Sequence, residues 1–210
     1  MEDKKINEKE SLELIARMIQ QTKKDSAIGS GNMFLMWGYL CVFCSLSVVA
    51  MTYIQREGGW GWLYMAIPVI GFIVAGIMAR RMKKLNNVPS TYTTKSINSM
   101  WGVLSAVFAC YAVFCIFHWD KPMGWSGMFA LGMLLPAIGT YSTGVILKEN
   151  ALKICGIIGV TGGVGFLHSL CCDPVITIKW PIIMAVYMII NLVIPGHVLN
   201  YKAKKANKEQ

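Results

Sequence analysis

Six long apolar stretches, each broken from the next by a short polar segment, constrain this chain more than any other feature. They run over Met33–Ile54, Trp60–Ala79, Ser99–Phe117, Trp125–Leu147, Ile154–Leu170 and Val175–Val198. A bilayer's hydrocarbon core is about 30 Å thick, and a helix needs about twenty apolar residues to cross it. Only 15% of the residues are charged and 55% are hydrophobic, whereas soluble domains carry about a quarter charged residues. The pattern predicts an all-α membrane protein with six transmembrane helices. The fifth stretch is the shortest and the richest in glycine.

The basic residues predict how the helices face. With the N-terminus in the cytoplasm, the inner segments hold seventeen of the 20 Lys and Arg residues, clustered around Lys23, Arg80–Lys84, Lys148–Lys153 and Lys202–Lys208. The outer loops hold only Arg56, Lys121 and Lys179. Cytoplasmic loops carry this excess in known membrane proteins. Trp60, Trp62, Trp119, Trp125 and Trp180 gather at the outer boundary, where an indole's apolar body and single N–H donor suit the interface. The expected localisation is the inner membrane, with both termini cytoplasmic. No cleavable signal peptide or lipid anchor is expected. The chain divides into a cytoplasmic head and linker (1–32), a six-helix transmembrane domain (33–198) and a basic tail (199–210). The connection Arg80–Asn98, with Pro89 and many Ser and Thr residues, reads as a loop.

In the head, Asn7 and Glu10 suit a helix start. Leu12, Ile15, Ala16 and Ile19 fall on one face, opposite Glu13, Arg17 and Lys24. This predicts an amphipathic helix over residues 8–25. Such a helix rests on the membrane surface or docks a protein partner or a second copy of the chain. The expected partners are membrane lipids, anionic headgroups at the cytoplasmic face among them. No nucleic acid is expected.

The chain also repeats itself. Met36-Trp37-Gly38-Tyr39-Leu40 matches Met100-Trp101-Gly102-Val103-Leu104, and Pro68, Ile70, Gly71 and Gly76 match Pro136, Ile138, Gly139 and Gly144. The second match is a shared P-x-I-G-x4-G pattern. A helical hairpin used at least twice accounts for both. Copies an even number of spans apart insert in the same orientation, so the repeats would be parallel. Pro68 and Pro136 each remove a helix hydrogen bond and are candidate kinks. Gly159 and Gly163 allow close backbone approach and point to a centrally packed fifth helix.

Candidate chemistry is sparse. No Asp, Glu, Lys or Arg lies mid-span, which argues against ion-coupled transport. Asn191 is the strongest polar group deep in an apolar run. A transporter reading therefore predicts a polar cavity near Asn191, Tyr141, Ser142 and Thr143. His118, Asp120, His168, Cys171, Cys172 and Asp173 have metal-compatible side chains near the outer surface, though no ligand spacing ties them together. Gly124-Trp125-Ser126-Gly127 has the G-x-S-G form of rhomboid proteases, but the sixth span offers only His197, at the opposite end, and a serine without a base is a weak nucleophile. The seven cysteines imply no disulfide framework, since Cys41, Cys44, Cys110, Cys115 and Cys155 lie in apolar runs as small hydrophobes. No cofactor is expected. Pro195 and Gly196 are expected to end the last helix.

Glu10-Ser11-Leu12 with Ile15 and Met18, Trp37-Gly38, and Pro195-Gly196-His197 resemble, over the full chain, a family of small six-helix inner-membrane proteins of the Bacteroidetes type. The resemblance implies no activity, ligand or catalytic residue. The residues point first to a non-enzymatic membrane protein acting in regulation, signalling or membrane organisation through its cytoplasmic helix. A small oligomeric transporter or channel of repeated hairpins comes second, and an intramembrane enzyme third.

Overall fold

A computed structural model describes residues 30–55, 60–85, 92–118, 122–172 and 177–208, together with Glu13. The amphipathic helix expected over residues 8–25 otherwise lies outside the described residues. Every regular element among them is helical. These are α1 (Ser30–Gln55), a 3-10 turn (Trp60–Met65) running into α2 (Ala66–Leu85), α3 (Tyr92–Phe117), α4 (Pro122–Leu147), α5 (Asn150–Cys172) and α6 (Lys179–Met188). A π-helical turn (Ile189–Val193) then joins α6 to α7 (Ile194–Lys208). Among the described residues, six continuous helical segments, the last built from α6, the π turn and α7, are long and apolar enough to cross a membrane. The fold is that of an all-α, multi-pass membrane protein.

Four of the six spans form the core. α1, α4, α5 and the α6–α7 span pack together, with α4 and α5 in the most extensive contact. α2 packs against α1, and α3 against α4, while α2 and α3 make little contact with each other. The α4–α5 hairpin is tight for two reasons. At its turn, the Glu149 N–H donates to the Gly144 carbonyl at 2.8 Å and the Lys148 N–H to the Val145 carbonyl at 3.2 Å. These are the paired bonds of a Schellman cap, with Lys148 in the left-handed position at φ 58°. Along its length, a Cβ added to Gly156 would lie 2.6 Å from the Cα of Tyr141, and one added to Gly163 would lie 2.6 Å from the Leu134 side chain. Without a hydrophobic force between helices in lipid, such close approach supplies the association energy.

Two expectations from the sequence are corrected. The connection expected over Arg80–Asn98 is largely helical: α2 continues to Leu85 and α3 begins at Tyr92. Apolarity marks where lipid starts, and these helices run on past it into polar residues. Pro195 and Gly196 do not end the last helix, which continues to Lys208. Proline withholds one N–H from the carbonyl four residues earlier, here Asn191, and crowds it. The helix widens into the π turn centred on that residue and then resumes, because the freed carbonyl finds a partner in α4.

Candidate functional site

That partner is Thr140, whose hydroxyl donates to the Asn191 carbonyl at 2.9 Å. Both residues are fully buried. The Asn191 side chain turns its amide N–H toward the Tyr187 carbonyl at 3.2 Å, and its Oδ1 is buried with no hydrogen-bond partner. A side chain on Gly159 would collide with that Oδ1. One turn away, the Tyr187 hydroxyl lies 2.7 Å from both the Met133 and Gly159 carbonyls and donates between them. Polar groups from α4, α5, α6 and the π turn thus meet in a buried knot that joins three spans.

Open space lies on the other side of α1 and α4. A cavity of about 400 Å³ sits between the two hairpins α1–α2 and α3–α4, with α6 as its back wall. On α1 its lining runs from Trp37 to Thr52, sixteen residues spanning about 20 Å of helix. Among the described residues no lining residue is charged. Tyr64 closes one side, donating to the buried Ser45 hydroxyl at 3.2 Å and meeting Phe129 edge-on at 5.5 Å.

Trp37 and Trp101 stand at one end of the cavity, and each is seated on a glycine. The Trp37 ring covers Gly71 so closely that a Cβ there would collide with it, and a Cβ on Gly139 would fall 2.7 Å from the Trp101 ring. Trp37 meets Phe72 edge-on at 5.6 Å, and Phe34 backs Trp101 in the same way at 5.4 Å. The Trp101 N–H donates to Thr143 at 3.1 Å, and Thr143 donates to the Gly139 carbonyl at 2.7 Å. Pro68 and Pro136 also line the cavity. Pro68 lies in the first turn of α2, just after the 3-10 turn, where an absent N–H costs little; Pro136 lies inside α4. The sequence matches Trp37 with Trp101, Pro68 with Pro136 and Gly71 with Gly139. All four of the Trp and Pro residues face one space.

The other sequence candidates fall elsewhere. Asn191 and Thr143 are sealed in packing, Tyr141 is 40% exposed on the outer surface of α4, and Ser142 is half-buried. The four residues do not share a cavity. His118 stacks on Phe114 at 4.3 Å and donates from Nδ1 to the Phe114 carbonyl at 3.2 Å. His168, Cys171 and Cys172 are exposed on the last turns of α5. Among the described residues no group of three His, Cys, Asp or Glu is placed to hold a metal; Asp120 and Asp173 lie outside them. Ser126 is buried in α4 while His168 faces outward. His197 accepts or donates a 2.9 Å bond with the Tyr39 hydroxyl on α1, and Lys202 of α7 pairs with Glu149.

Sequence reasoning missed Thr140 and Tyr187, although one signal for Thr140 was present: Pro195 stands four residues after Asn191, so the Asn191 carbonyl needs a foreign donor. It also missed the cavity. Its signal was the repeat itself, since a Trp and a Gly that recur together in two hairpins are candidates for contact within each. Set against models of known protein families, curated proteins and solved structures, the chain matches none.

Proposed function

We propose that this chain is a non-enzymatic protein of the inner membrane that binds an apolar ligand between its first two hairpins. The cavity carries this reading: it is elongated, uncharged, aromatic-walled, and within the size range of small-molecule sites. The two hairpins are copies of one unit in this reading, supported by the Trp-on-Gly contact that occurs in each. Both termini lie in the cytoplasm, on the strength of the lysines and arginines. In this reading the amphipathic helix expected over residues 8–25 reports occupancy of the cavity to a protein partner or to the anionic lipid surface, which makes the role regulatory.

Ligand retention tests the reading. Protein extracted in mild detergent and weighed by native mass spectrometry is expected to carry an apolar molecule. Ser105→Trp, which fills the cavity, is expected to lose it, and Ile157→Trp, on the exposed face of α5, to keep it. Equal retention by all three proteins would refute the cavity as the site. Orientation is tested separately by a tag after Tyr201, expected to react only in permeabilised cells.

A further inference from the structure

We infer that the ligand is a membrane lipid, that one of its acyl chains enters the cavity sideways between α2 and α3, and that Trp37 and Trp101 set how long that chain can be. This rests on the cavity reading above and names its ligand. Three observations support it. First, α2 and α3 barely touch, so the cavity opens laterally toward the bilayer, where a lipid tail is the molecule at hand. Second, the space is long and narrow: its α1 wall alone extends about 20 Å, the proportions of an extended hydrocarbon chain.

Third, the two ends differ. At one end stand Thr52, Trp60 and Thr177, neutral polar and interfacial groups that suit the neck of an amphiphile. At the other stand Trp37 with Phe72 against it, and Trp101. Trp37 and Trp101 are the lining residues nearest the N-termini of α1 and α3, so no lining from those helices lies beyond them. Their seats on Gly71 and Gly139 leave no room to retreat. They form a floor on which a terminal methyl group would rest, with the polar neck at the Thr52 end.

The test uses the full chain in vesicles of phosphatidylglycerol in which one acyl chain ends in a diazirine, prepared in a series of chain lengths. After illumination, labelled peptides are mapped by mass spectrometry. In the wild type the chain that matches the cavity is expected to label Trp37, Phe72 or Trp101. Trp37→Ala and Trp101→Ala each lower the floor by up to one helical turn, about 5.4 Å. The length giving most floor labelling is then expected to rise by about four methylenes. Trp37→Phe and Trp101→Phe keep a ring on the glycine and are expected to shift it less, and they serve where the alanine variants do not fold. Strong cavity labelling whose preferred length ignores all four substitutions would overturn the floor and leave the cavity reading intact. Labelling confined to outward-facing residues such as Val69 and Ile157 would mean annular lipid only and would overturn both. Retention of a ligand with no acyl chain would overturn the lipid assignment alone.

Discussion

Replacing Thr140 by valine keeps shape and volume but removes the hydroxyl that donates to the Asn191 carbonyl. Pro195 has already withheld the backbone N–H that would satisfy it in a regular helix. An unsatisfied buried acceptor costs about 1–3 kcal/mol, while hydrogen bonds between membrane helices average about 0.6 and reach about 1.7 kcal/mol. Both residues are fully buried, so water does not replace the lost donor. The expected loss is therefore near the top of the membrane range, about 1.5 kcal/mol. The mechanism makes a sharper demand. With Pro195→Ala in the background, residue 195 regains an N–H, the carbonyl acquires a second donor, and Thr140→Val is expected to cost about 0.5 kcal/mol or less. The double-mutant cycle should show a coupling of about 1 kcal/mol. Steric trapping in bicelles, or SDS titration of the purified protein, measures each corner. Equal costs of Thr140→Val in the two backgrounds would refute the idea that the proline creates the need for the threonine.

Two further outcomes test the α4–α5 hairpin. Gly156→Ala places a methyl 2.6 Å from the Tyr141 backbone and is expected to destabilise by about 1–3 kcal/mol, as overpacking does; Gly165→Ala, which meets nothing within 4 Å, is expected to be neutral or to stabilise by up to about 1 kcal/mol, both read in the same unfolding assay. Lys148→Gly relieves a left-handed residue at the Schellman cap and is expected to stabilise by about 1 kcal/mol, whereas Lys148→Val should cost at least as much; a lysine preferred over glycine there would contradict the cap.

The existence of six apolar helices was legible from hydropathy alone, because lipid tolerates few charges and that constraint is local. Helix ends were less legible. α3 begins at Tyr92 rather than near Ser99, since Thr93, Lys95 and Ser96 continue a helix that has left the apolar zone. Pro195 misled for a related reason: it is a strong local breaker, but its effect was absorbed by Thr140 of α4, which lies 51 residues before the Asn191 whose carbonyl it meets. Asn191 stood out in the sequence as a deep polar group, yet its neighbours depend on the register of three helices, which no single segment encodes. The cavity was hidden for the same reason. Its walls are ordinary apolar residues, and only the recurrence of Trp with Pro-x-Ile-Gly hinted that they belong to one place.

The outlying placement of α2 and α3 gives the molecule an uneven distribution of rigidity. Each rests chiefly on a single neighbour, so tilting one away from the other sacrifices a small interface and leaves the buried knot around Tyr187 untouched. Excursions of low free energy belong to elements with few shared contacts. The width of the slot between these two helices is therefore the cheapest coordinate in the structure to change, and the bilayer pressing on their outer faces acts directly upon it.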